Sequence, residues 1–147
     1  MKITICGSTA FIDEMGTISK QLEDLGHEVK FPPVKVIDKD GNELHTRDYY
    51  KMKKATPMDD PEFWKTHTNR IRSHFDKVSW GNAVLITNYD KNNIPYYIGP
   101  NTLMEMGVAF HLNKIIFLLN PVPEIAWKEE ILGMQPIILN GKLENIK

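Results

Sequence analysis

Apolar residues in this chain fall in two rhythms: short unbroken runs, and a repeat every three to four positions. Residues 2–6 (KITIC) are a β-branched run that stops at Gly7-Ser8-Thr9. Phe11, Met15, Ile18, Leu22 and Leu25 then recur at helical spacing, and Gly26 supplies a C-terminal stop. His27 to Phe31 (HEVKF) predicts a second strand, closed by Pro32-Pro33. A helix is expected from Pro61 to about Trp80, with Phe63, Trp64, Ile71, Phe75 and Val78 inward. Ala83 to Thr87 (AVLIT) is nearly all apolar, as a central parallel strand covered on both faces must be. A further helix, capped by Asn101 or Thr102, carries Leu103, Met104, Gly107, Val108 and Leu112 as its apolar or small positions. Lys114 to Leu119 (KIIFLL) and Pro136 to Leu139 (PIIL) complete five strands, with a short helix over about Glu124 to Leu132 between them.

Strand, glycine turn, helix and strand form a βαβ unit, which calls for a parallel sheet. Five strands alternating with helices predict a doubly wound α/β fold, flavodoxin-like or Rossmann-like, with helices on both faces. The order 2-1-3-4-5 follows, because right-handed crossovers must switch direction once to cover both faces. Residues 34–60 break the pattern: they are polar, turn at Asp40-Gly41, break at Pro57 and hold no period. So long an insertion is either a lid or binding loop, or an exposed hairpin. Residues 1–147 are expected to be one domain carrying that insertion, long enough to bury about 68–70% of its unfolded surface.

Composition narrows the function classes. Net charge is −1 and the Lys and Arg residues are scattered, so no basic stripe marks a nucleic-acid or membrane partner. The longest apolar run, Ile115 to Leu119, is too short to cross a bilayer, and the N-terminus has no signal-peptide region. A single cysteine, Cys6, excludes an intrachain disulfide and suits a reducing, cytoplasmic setting. The chain has no Walker A run, no Gly-x-Gly-x-x-Gly turn, no serine nucleophile elbow and no Cys/His spacing for zinc. No cofactor and no metal are expected.

Ligands of such sheets bind beyond the carboxyl ends of the strands, at the switch point. That rule gathers Gly7-Ser8-Thr9, Asn88-Tyr89-Asp90 and the loop before Glu105, with Gly99 and Asn101, at one crevice. Glu105 is placed in a helix's first turn, where unpaired N–H groups favour negative charge. Gly107, costing roughly 1 kcal/mol in a helix, suggests close approach to the backbone. Thr102-Leu-Met-Glu105 also has the spacing of a capping box, which would leave the glutamate a purely structural role. Ser8 and Thr9 suit a phosphate or sugar hydroxyl as well as an ordinary cap. His67, Arg70 and His74 share a helix face that reads equally as solvated surface. Tyr89, Tyr96 and Tyr97 could stack on a base or pack within loops.

The turn ITICGS, the strand AVLIT and the stretch GPNTLMEMGVAF followed by NKIIFLL resemble the nucleoside 2-deoxyribosyltransferase superfamily, including the related deoxynucleotide N-hydrolases. The likeness covers most of the chain except residues 32–60, and Glu105, Gly107, Ala109 and Lys114 fall on its hallmark positions. The resemblance implies that Glu105 is a nucleophile attacking C1′ of the sugar. A glycosyl ester would then be resolved by a second base or by water. A carboxylate suits an oxocarbenium-like transition state, while an acid protonates the leaving base. The family's supporting aspartates are missing: Asn82 opens the third strand, eight residues before it stands His74, and Gly99 lies six residues before Glu105. In place of the first-strand aromatic of transferases the chain has Ile5 or Cys6. The proton would come from His74, Asp76 or Asp90, with Asp90 better placed to grip the sugar or base. The resemblance also implies a homodimer or higher homo-oligomer, and a small-molecule nucleoside or nucleotide as substrate. The rival reading is a nucleotide- or flavin-binding module that breaks no bond. A response-regulator receiver is disfavoured, because Gly7-Ser8 leaves no acidic pair after the first strand.

Overall fold

The computed structural model describes residues 1–147. Strands β1 (Lys2–Cys6), β2 (Glu28–Lys30), β5 (Ala83–Ile86), β6 (Ile115–Leu118) and β7 (Ile137–Ile138) form one parallel sheet in the order β2-β1-β5-β6-β7. With the sheet strands numbered by themselves, this is the 2-1-3-4-5 order expected from the pattern. Ile5 stands opposite Leu85 and Leu85 opposite Phe117, so residues in register share a face. Ile3, Ile5, Leu85 and Phe117 pack under α1 (Ile12–Asp24), whose Ile12, Met15, Ile18 and Leu22 are buried against them. Cys6, Val84, Ile86 and Leu118 face the opposite layer. There they meet Val78 of α3 (Pro61–Trp80), Met106 and Ala109 of α4 (Pro100–His111), and Ile131 of α5 (Lys128–Gly133). The alternation along β1 therefore puts Cys6 on the side of α3 and α4. No helix is long and apolar enough to cross a membrane.

Residues 34–60 hold both a hairpin and a helix. β3 (Lys35–Ile37) and β4 (Glu43–His45) pair antiparallel, and Asp38 closes the turn by accepting from the backbone N–H of Asp40 and Asn42. Those bonds hold the Asp38 carboxyl below the usual range, and Gly41 takes φ +83° in the turn. α2 (Thr46–Ala55) follows directly, capped by the His45 ring, which accepts from Arg47 N–H at 3.1 Å. Only Thr46 and Tyr49 of α2 are buried, too few positions to show a period.

Several expectations need correction. α4 begins at Pro100 with Gly99 as its N-cap, so neither Asn101 nor Thr102 caps it. Proline at N1 lacks only an N–H that would be unpaired there anyway. The earlier start moves Glu105 into the second turn, and no capping box forms. The buried face of α4 is Thr102, Met106 and Ala109, while Met104 and Leu112 are exposed. A side chain at Gly107 would meet nothing within 4 Å, so no close approach explains that glycine. On α3, His67 and His74 are buried with Val78, while Phe63, Trp64, Ile71 and Phe75 are only half-buried.

Candidate functional site

A cavity of about 840 Å³ opens at the carboxyl end of β1. Its walls come from the first turn (Gly7 to Ala10), the hairpin and α2, the inner face of α3, the loop near Lys91, and the start of α4. The insertion is therefore a wall of the cavity as well as a hairpin. Gly7 owes its smallness to packing: a Cβ there would strike Thr87 Oγ1 and come within 2.9 Å of Met15 Cε.

Glu105 and His74 lie at the cavity floor, from α4 and α3. His74 Nε2 is 3.6 Å from Glu105 Oε2, with side chains 10% and 15% exposed. That separation is beyond hydrogen-bond reach, and Glu105 Oε2 and both His74 ring nitrogens have no partner. Polar atoms at this depth are costly unless a ligand or an ordered water meets them. Burial pushes the Glu105 carboxyl up to about 8, opposed only in part by the adjoining Cys6 thiol. Burial and then the nearby Lys77 ammonium push His74 down to about 4. Cys6 is fully buried, and burial followed by Glu105 raises its thiol well above the ordinary range. Cys6, His74 and Glu105 offer polar atoms within 4.8 Å of one another. At neutral pH they form a thiol, a neutral imidazole and a carboxylic acid sharing one buried floor.

The rest of the cavity is cationic. Glu105 is its sole carboxylate, against Lys35, Arg47, Lys51, Lys53, Lys54, Arg70, Lys77 and Lys91. Some are engaged: Lys35 pairs with Glu43, Arg47 with Asp13, and Lys77 donates to Phe31 O. The Arg70 guanidinium lies 3.9 Å from the Tyr49 ring centroid and donates to Ile37 O at 3.0 Å. Tyr50 lines the cavity with its hydroxyl pKa raised by burial, and His67 is buried among Tyr50, Phe63 and Trp64.

Of the residues singled out from the sequence, Gly7, Ser8, Thr9, Gly99, Asn101, His74 and Glu105 line this cavity. His67, Arg70, Tyr97 and Thr102 line it too, while Asp76, Asn88, Tyr89, Asp90 and Tyr96 are placed elsewhere. Asp76 is exposed and outside the lining, two positions beyond His74 on a helix whose face turns 100° per residue. Asn88 is buried and occupied: it accepts from Asn120 N–H at 3.0 Å and donates to Pro121 O at 2.9 Å, tying the ends of β5 and β6. Tyr89 packs on Phe11, ring centroids 5.1 Å apart. Asp90 is exposed and accepts from Tyr96 N–H at 2.9 Å, holding a loop in which Tyr96 has φ +58°. Tyr97 reaches the cavity; Tyr89 and Tyr96 do not. The crevice rule thus locates the first turn and the α4 start but overreaches at the end of β5. Sequence reasoning missed Cys6, Tyr50 and the gathered lysines, because residues far apart in the chain become neighbours only in the fold.

No family model matches the chain, and no curated protein matches it. Among solved structures, a 2-deoxyribosyltransferase from the psychrotolerant bacterium Bacillus psychrosaccharolyticus is similar, with a TM-score of 0.50 at 16% identity over 80% of this chain and 71% of that one. The Clostridium botulinum CMP N-glycosidase BcmB gives a TM-score of 0.49 at 15% identity, over 94% of this chain and 85% of that one. At such identities the first likeness establishes a common fold, in agreement with the sheet order above.

Proposed function

We propose that this protein cleaves the N-glycosidic bond of a nucleoside or nucleotide, with Glu105 as nucleophile and His74 as the proton donor to the departing base. The observation that carries the reading is the unpartnered Glu105–His74 pair, 3.6 Å apart on the floor of a cavity large enough for a nucleotide. The fold likeness to a 2-deoxyribosyltransferase and the sequence resemblance around Glu105 support it.

Between about pH 4 and 8 the pair holds one proton, which rests on Glu105 while the site is empty. Passing that proton to His74 Nε2 makes two reagents at once, a carboxylate and an imidazolium. Glu105 then forms a bond to C1′ as the C1′–N bond breaks, and the leaving base keeps the electron pair and takes the imidazolium proton. The oxocarbenium-like charge that develops at C1′ is stabilised by the carboxylate, worth most where water is excluded. Cys6, behind the carboxyl, supplies a weak donor that favours its ionised form. Water or a second base opens the ester and restores the acid form of the pair.

The test is incubation with mixed deoxynucleosides and deoxynucleotides, with and without a free acceptor base, following base release by chromatography. Wild-type protein is expected to release base, and Glu105→Gln is expected to release none while keeping its fold. Binding with no release from any substrate would overturn the reading and leave a ligand-binding module.

A further inference from the structure

Three ammonium groups in the cavity have neither a carboxylate nor a backbone carbonyl as partner: Lys53 and Lys54, from the end of α2, and Lys91, from the loop after β5. They come from segments about 40 residues apart in sequence yet sit close enough to act on one another. Lys53 is lowered by burial first and then by the Lys54 and Lys91 charges; Lys91 is lowered by burial and then by Lys54. Lys91 Nζ donates to Ser8 Oγ at 2.7 Å, which fixes one cation over the first turn of the sheet. Ser8 also caps the short 3-10 turn Thr9–Phe11, accepting from Ala10 N–H at 3.3 Å. A solvated lysine surface would splay its charges apart. Here the fold draws three together and partly dries two of them, a cost that an anion in their midst would offset.

We propose that the cavity is built for a nucleotide carrying two or more phosphates, with the phosphate chain held by Lys53, Lys54, Lys91 and the Ser8 turn. The proposal rests on the glycosidic reading of the site and adds its substrate class. One phosphate carries at most two negative charges, so three unpaired ammoniums are in excess for a monophosphate and nearly balance a diphosphate. The source of the cations makes the same point. Lys53 and Lys54 belong to the insertion, outside the part of the chain where the family resemblance lies, so the polyphosphate grip is an addition to the core site.

Calorimetric titration of the Glu105→Gln protein separates binding from turnover. The ligands are one deoxynucleoside, its 5′-mono-, di- and triphosphates, and inorganic pyrophosphate. The diphosphate is expected to bind about tenfold or more tighter than the monophosphate, with the increment falling at high salt. Lys53→Ala/Lys54→Ala should erase the increment and leave nucleoside affinity in place, whereas Lys39→Ala on the exposed hairpin turn should change neither. Equal affinity for mono- and diphosphate, or an increment that survives the double variant, overturns the proposal. Pyrophosphate binding as tight as the nucleoside diphosphate also overturns it, because the site would then be a free-anion site. Base release by wild-type protein without a diphosphate preference would sink this inference alone. The preference without base release would sink the glycosidic reading alone.

Discussion

The floor and the rim of the cavity are opposite environments within one site. On the floor, Glu105, His74 and Cys6 are buried and neutral around pH 7, and Glu105 Oε2 and both His74 ring nitrogens have no partner. At the rim, Lys53, Lys54 and Lys91 are charged and collected on one side. On the proposed reading the unpartnered polar atoms of the floor meet the reacting centre and the charge of the rim meets an anion. Reactivity is worth most where water is excluded, and attraction reaches furthest where it is not. The separation means that variants at the two places should fail differently, the floor in kcat and the rim in binding.

The sharpest test of that division is Glu105→Gln. The amide keeps the shape and removes the attacking anion, so kcat should fall by at least about 10³-fold while substrate affinity changes little. A parallel loss in affinity would mean that the floor grips substrate rather than reacting with it. His74→Gln comes next, with a loss of about 10²- to 10⁴-fold, the usual worth of a positioned general acid. The wild-type rate should be bell-shaped, rising near pH 4 and falling near pH 8, and His74→Gln should remove its alkaline limb. A flat profile in wild-type protein would rule out the one-proton pair.

Stability distinguishes the floor by another route. Glu105 has its folded pKa raised from 4.5 to about 8, so its contribution is fully present below about pH 4.5 and is lost as pH rises toward 8. His74 is lowered from 6.5 to about 4, so its contribution is present above 6.5 and lost as pH falls toward 4. The two oppose each other between 4.5 and 6.5. Above 6.5 the glutamate acts alone, and the slope it contributes is at most about 1.4 kcal/mol per pH unit. Denaturant melts of wild-type and Glu105→Gln protein should therefore diverge between pH 6.5 and 8, the variant becoming relatively more stable. Identical slopes would mean that Glu105 is not held in its acid form. Gly7→Ala belongs beside this test: the new methyl meets Thr87 and Met15, for a loss of about 1–3 kcal/mol.

The sheet was open to sequence reasoning because each strand carries its own signal. AVLIT and KIIFLL read as buried strands without knowledge of their neighbours, and the crossover rule then orders them. The wall of the cavity carries no such signal. α2 buries two residues out of ten, so its helix is stabilised by a cap and by contacts with the rest of the fold rather than by a visible stripe. The sequence marks His74 as a counted-back position but carries no sign of its burial. A histidine on a half-polar helix face looks solvated until α4 is seen packed over it. The lysines read as scattered because Lys53 and Lys91 are distant in the chain; the packing of α2 against the first turn brings them to one cavity.

Asp76 offers the smallest expected effect, and it tests the comparison where sequence and structure part company. Counting along the chain places it as near the reacting centre as His74, and its carboxyl would be the natural acid if the supporting aspartate had merely shifted by two positions. Two residues on an α-helix are about 200° of rotation, however, which carries a side chain to the opposite face. In the structure that face is open to solvent and lies outside the cavity lining. Asp76→Asn should therefore change stability by no more than about 0.5 kcal/mol and leave the pH–rate profile where it is. A displaced alkaline limb in Asp76→Asn would transfer the proton-donor role from α3's buried face to its exposed one, and the contrast between buried floor and charged rim would no longer describe the chemistry.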